Sequence, residues 1–177
     1  MYRMREATAG DAGSIAGMVR ERSAWLSARG LGECEAAAED FAAQAGNPDI
    51  PVWVLEHEAD GVVGCTTVLG TEALPAWGFT EDERAESSLF LATTFTRPNP
   101  HRLGRLVAWW TLDRAAVEGR LWVRRGTAQE RLSRYYQETQ GWTLARVVDL
   151  EEVKVFLLQR RAERVPALAD LMAGRGL

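Results

Sequence analysis

The residues best suited to chemistry cluster in the stretch TRPNPHRLGRL, where Arg97, Arg102 and Arg105 surround Gly104. It lies between an apolar, β-branched run and a segment of helical period, so Gly104 falls at the start of a helix. A helix N-terminus presents unpaired N–H groups and the positive end of the helix dipole, which together favour phosphate. Gly104 lets the backbone come close to such an anion. The three arginines can add charge-assisted hydrogen bonds, whereas Pro100 has no N–H to give. An ordinary helix start with solvated arginines uses the same residues. Other reactive groups are scattered. Cys34 and Cys65 have no metal-ligand spacing, and His57 and His101 are isolated, so the expectation is no metal site and no Cys-His pair. Glu33, Glu35, Glu56 and Glu58 are carboxylates that can line a cleft, and none is singled out as a general base.

The elements that must position these residues follow from period and punctuation. Tyr2 to Thr8 is a first strand, and Thr8 or Asp11 can cap the helix that presents Ile15, Met18, Val19, Arg22 and Leu26 on one face. Gly30 is its stop. Glu33 to Ala45 reads as a second helix, closed by Asn47-Pro48-Asp49. Pro51–Glu58 and Val62–Leu69 form a hairpin through Asp60-Gly61. Gly70 to Glu86 has no period and is expected to be loop. Ser88 to Thr96 reads as a central strand buried on both faces. A helix follows from Leu103 to Gly119, then a strand at Leu121–Arg125 and a helix at Gln129–Glu138. A final hairpin at Trp142–Val148 and Val153–Leu158 completes the order β-α-α-β-β-β-α-β-α-β-β, an α/β arrangement.

The 177 residues are 46 % hydrophobic and 26 % charged. A chain this long buries about 70 % of its unfolded surface without staples. The net charge of −4 argues against a nucleic-acid surface. No apolar run reaches a membrane-spanning length of about 18 residues, and the polar start MYRMREATAGD is unlike a secretory signal. Two cysteines in such a chain fit a reducing, cytoplasmic setting.

The element order and several strings resemble the GNAT superfamily of N-acetyltransferases over roughly residues 2 to 160. REAT-x-x-D followed by a helix ending WLSARG is like many bacterial members. VWVLEHEADGVVGCTTV resembles the second and third strands of the family. LFLATTFTRPNPHRLGRLVAWWTLDRAAVEGRLWVRRG resembles its strand, turn and helix, and LSRYYQETQGW its late helix. The family's signature is Gln or Arg, two residues, Gly, one residue, then Gly or Ala. Gly104 matches its last position, Asn99 stands at the first and Arg102 at the earlier glycine.

The resemblance implies a mixed, mostly antiparallel sheet flanked by helices, in one domain over 1–165 with a short tail or helix over 166–177. It implies acetyl transfer from acetyl-CoA to the amine of a small molecule or peptide by direct attack. The coenzyme would be held by Phe95, Thr96, Arg97, Arg102, Leu103, Gly104 and Arg105, with Ala92–Thr96 beside the pantetheine arm. A tyrosine of the late helix protonates the departing thiolate. That role falls to Tyr136, with Tyr135 in reserve; a phenol of ordinary pKa near 10 suits the task. Trp25 and Trp77 fall where the family builds its acceptor pocket, although core packing explains them as well. The last hairpin or Trp110 offers a surface for a second copy. A non-catalytic module that senses acyl-CoA or binds a protein partner fits the altered signature too.

Overall fold

The computed structural model describes residues 1–71, 77–98, 101–150 and 153–175. Asn99 and Pro100, and part of the segment expected to be loop, lie outside the described residues. The strands are β1 (Tyr2–Glu6), β2 (Val52–His57), β3 (Gly61–Gly70), β4 (Ser88–Thr96), β5 (Trp122–Thr127), β6 (Thr143–Leu150) and β7 (Val153–Arg161). The helices are α1 (Ala12–Ser27), α2 (Ala37–Gln44), α3 (Glu81–Ala85), α4 (Leu103–Val117), α5 (Glu130–Gln140) and α6 (Leu168–Met172). One seven-stranded sheet runs in the order β1-β2-β3-β4-β5-β7-β6. Its recorded pairs are antiparallel except β4 with β5. The expected strands and helices are all present. The chain divides into two compact units, residues 1–67, 93–108 and 166–177 in the first, and 68–92 and 109–165 in the second.

In the first unit Ile15, Met18 and Val19 recur at helical spacing, so α1 turns one stripe into a core with Val52, Val54, Val62 and Cys65. Burying side chains of that size contributes about 1.5–3 kcal/mol each. Of the two expected caps, Thr8 opens the chain's first turn in a capping box with Asp11, while Asp11, at the start of α1, makes no side-chain cap bond to that helix. Asp11 turns its carboxylate back, accepting from the Thr8 N–H at 2.8 Å and from both Arg5 Nη atoms at 2.8 Å. The bond from Arg5 holds the Asp11 carboxyl well below the usual range. Asp11 thus ties β1 to the short 3-10 turn at Ala9–Asp11, and α1 begins at Ala12. At the other end Leu31 N–H reaches Leu26 O at 3.0 Å while Gly30 takes φ +63°, the expected glycine stop. The second helix is shorter than the alanine-rich run suggests, beginning at Ala37. Gly46 is obligatory: a Cβ there would lie 2.5 Å from the Ala9 backbone nitrogen, at φ +77°. Asp60-Gly61 forms the β2–β3 turn, with Gly61 at φ +68° and Val54 opposite Cys65.

In the second unit β4 pairs in parallel with β5 only from Ser88–Leu91 to Trp122–Arg125. β4 runs on to Thr96 and changes from buried to half-buried after Leu91, so the expected burial on both faces holds for its first half only. The segment from Gly70 to Glu86, expected to be loop throughout, holds α3. Thr80 caps it: Glu83 N–H donates to Thr80 Oγ1 at 3.2 Å and Thr80 N–H to Glu83 Oε2 at 2.8 Å. Thr80-Glu81-Asp82-Glu83 is a capping-box string that carries this helix. β5 extends to Thr127, two residues past the expected end. Gly141 at φ +68° stops α5.

Candidate active site

The start of α4 is rooted by Leu103, Leu106, Val107 and Ala108, all buried. Leu103 therefore serves as an anchor, and His101 and Arg102 just before it are exposed. Arg102 is exposed and holds φ +52°, the single positive-φ non-glycine residue among those described. It stands where the signature has its earlier glycine. The left-handed conformation costs a residue with a Cβ about 1–2 kcal/mol. Arg102→Gly is accordingly expected to raise the urea midpoint, by an amount equivalent to roughly 1 kcal/mol once the freer unfolded glycine is counted. An unchanged or lower midpoint would show that the turn carries no strain.

Apart from its chain neighbours and its own helix backbone, a Cβ built on Gly104 meets no atom of the described residues within 4 Å, and the first turn of α4 contains no acidic side chain. The positive end of the helix dipole at such a start favours an anion. The other expected residues divide. Arg105 N–H bonds to Arg102 O at 2.8 Å, continuing the turn into the helix. Arg97 donates its backbone N–H to Val63 O at 2.8 Å, and its guanidinium pairs with Glu21 of α1 at 2.8 Å. Phe95 sends its ring into the core, edge-on to Phe41 at 5.0 Å, so only its backbone faces elsewhere. Thr96 abuts Gly64.

In the second unit α5 turns Tyr136 inward, 8 % exposed. Arg125 Nη2 donates to the Tyr136 hydroxyl at 2.6 Å, and the guanidinium carbon lies 3.6 Å from that ring's centre. Burial lowers the pKa of Arg125, opposed by the phenol. Tyr135 is half-buried and tilted against Tyr136. Successive strand residues face opposite sides of a sheet. On the other face of β5, Trp77 packs over Gly126, where a Cβ would lie 2.6 Å from the indole, and edge-on to Phe90 at 5.5 Å. The structure thus separates Trp77 from Tyr136 by the thickness of the strand.

Solved structures with this architecture decide the fold. An acetyltransferase of the GNAT family from Listeria monocytogenes matches with a TM-score of 0.66 at 15 % identity, over 90 % of this chain and 94 % of that one. YncA of Salmonella typhimurium, solved with its cofactor acetyl-CoA, matches at 0.56 and 16 % identity over 94 % and 96 %. The Drosophila melanogaster polyamine N-acetyltransferase, which forms N-acetylagmatine, matches at 0.57 and 14 % over 91 % and 100 %. The chain has the GNAT acetyltransferase fold. No family sequence model and no curated protein matches it by sequence.

On this GNAT scaffold the remaining candidates have defined surroundings. Trp25 of α1 is half-buried, with the Arg22 and Arg29 guanidiniums 4.6 and 4.0 Å from its ring centre. Those cations cover ring surface that an aromatic acceptor wall would expose. Glu56 is gripped by Arg3 and Arg5, which hold its carboxyl below the usual range. Glu58 pairs with the N-terminal amine at 3.1 Å, Glu33 accepts from Ser27 Oγ at 3.0 Å, and Glu35 is exposed. Burial pushes the Cys65 thiol up to about 12. Among the described residues no group of three His, Cys, Asp or Glu side chains could hold a metal ion, and no helix is long and apolar enough to cross a membrane. The buried pair Arg124-Arg125 was not among the sequence candidates. Its signal is the string LWVRRG, in which two adjacent arginines interrupt an apolar strand and must face opposite sides.

Proposed function

We propose that this chain is an acetyltransferase that moves an acetyl group from acetyl-CoA to the amine of a small molecule or peptide. The observation that carries the reading is the start of α4: acid-free in its first turn, with no described residue near a Cβ on Gly104 and Arg102 held in a glycine-like conformation. Acetyl-CoA in YncA and the polyamine acceptor of the Drosophila enzyme, both on this fold, support it. The backbone of Leu103–Arg105 would hold the pyrophosphate, with Arg102 and Arg105 adding charge. Arg97 contributes in this reading only by giving up Glu21. The β4 residues Ala92–Thr96, past the end of the ladder with β5, would line the pantetheine arm and polarise the thioester oxygen through backbone N–H groups. An amine then attacks the carbonyl carbon, and Tyr136, or Tyr135 in its place, returns a proton to sulfur as the carbon–sulfur bond breaks. An acceptor role for Trp25 would require the Arg22 and Arg29 guanidiniums to leave its ring, and Trp77 would meet an acceptor only on the β5 face opposite Tyr136. The two free thiols suit a reducing compartment such as the cytoplasm. Exposed Val147 and Val153 on the last hairpin give a surface for a second copy.

A second reading, a non-catalytic module that senses acyl-CoA or binds a protein partner, is favoured by the Arg97–Glu21 pair. Calorimetric titration with acetyl-CoA separates the readings when followed by assays with polyamine acceptors. Micromolar binding, about −8 kcal/mol, with acetylated amine as product supports the enzyme. Binding without transfer supports the sensor. No heat at two temperatures refutes the coenzyme site.

A further inference from the structure

Arg124 and Arg125 are consecutive on β5, and both are buried, at 1 % and 4 % exposure. Strand alternation sends them to opposite faces. Arg124 is matched by the Glu86 carboxylate and by the Glu83 carbonyl. Arg125 pairs with no carboxylate among the described residues. Its Nη2 donates to the Tyr136 hydroxyl, and the rings of Tyr136 and Trp142 lie with their centres 3.6 and 5.3 Å from the guanidinium carbon. A buried guanidinium keeps its charge, and among the described residues the acceptor recorded for this one is the phenol oxygen.

We propose that Arg125 is a positioning residue for Tyr136: it holds the phenol oxygen so that the hydroxyl proton points away from the guanidinium, and it balances the phenolate left when that proton departs. The proposal rests on the reading of Tyr136 as proton donor. A phenol oxygen that accepts from Arg125 keeps its own O–H to give, and that proton cannot point at an N–H. When the tetrahedral intermediate collapses, the carbon–sulfur bond breaks and its electron pair stays on sulfur. The Tyr136 O–H bond breaks, its proton forms the new S–H bond, and the phenolate remains beside Arg125. The proton lost by the attacking nitrogen, relayed through solvent, restores the phenol. A lone phenolate in a buried setting is unfavourable, and a charge-assisted bond from a guanidinium is the strong form of compensation.

The test compares wild type, Arg125→Met, Arg125→Lys, Tyr136→Phe and the double variant Arg125→Met/Tyr136→Phe, with acetyl-CoA and agmatine or spermidine as acceptor. Methionine removes a buried cation that has no recorded carboxylate and keeps an unbranched apolar stem in its place, so that variant is expected to fold. Lysine keeps a donor. Arg125→Met should lower kcat on the order of tenfold, less than loss of the donor itself, with KM for acetyl-CoA unchanged. Arg125→Lys should recover part of the rate, and the double variant should be no slower than Tyr136→Phe alone. Wild-type kcat in Arg125→Met, or losses that multiply in the double variant, overturns the proposal while leaving the Tyr136 reading intact. Wild-type kcat in Tyr136→Phe overturns that reading and the proposal together. Urea midpoints of the same proteins provide a readout independent of turnover. Non-additive midpoints support the grip of Arg125 on the hydroxyl, and strictly additive ones overturn it.

Discussion

Tyr136→Phe is expected to lower kcat about a hundredfold, the scale of one positioned proton donor and equivalent to about 2.7 kcal/mol of barrier. KM for acetyl-CoA should stay near the wild-type value, because the phenol acts when the thiolate departs and contributes little to ground-state binding. The substitution deletes one oxygen and leaves the ring, which is 8 % exposed and lies under the Arg125 guanidinium. The Arg125 donor loses its acceptor, so about 1–3 kcal/mol of stability should go with it. Thermal unfolding and steady-state kinetics on the same preparation separate the two effects. Tyr135→Phe is the internal control, since among the described residues no guanidinium is recorded over its half-buried ring. Full turnover in Tyr136→Phe together with loss in Tyr135→Phe would move the donor role one residue back along α5.

Gly104→Leu should weaken acetyl-CoA at least about tenfold, or 1.4 kcal/mol, while the protein itself becomes more stable. The two signs come from two different neighbourhoods of one atom. Beyond its own helix and chain neighbours the Cβ meets nothing within 4 Å among the described residues, and Gly104 is not among the positive-φ glycines. Replacing a helical glycine by a good helix former contributes about 0.8–1 kcal/mol. Toward a ligand, the side chain would fill the space a phosphate needs to reach the first-turn N–H groups. Calorimetry and chemical denaturation of the variant give both quantities. Unchanged affinity would remove the pyrophosphate from this turn.

Much of the scaffold was legible because local rules and tertiary packing agree. Asp60-Gly61 makes a tight hairpin wherever two β-rich runs flank it, and Ile15, Met18 and Val19 define a face by spacing alone. The places that differ are those where a distant partner outbids the local preference. Asp11 is a good N-cap residue by type, yet Arg5 on β1 claims its carboxylate and turns it backward. Arg97 stands where a phosphate ligand is expected, yet Glu21 on α1 lies within reach. Trp77 and Tyr136 both suit an active site, and strand alternation at Gly126 and Arg125 puts them on opposite faces.

The sequence by itself determined the α/β order, the strand-turn-helix that exposes Gly104, and the tyrosine-bearing helix closed by Gly141, because glycines, prolines and apolar periods act over a few residues. Tertiary structure decided which charges remain available. Arg124 and Arg125 are indistinguishable as letters, and only the fold gives one a carboxylate and the other the hydroxyl of Tyr136. The reason is physical: a period specifies which face a side chain takes, whereas the partner waiting on that face comes from a segment far away in the chain.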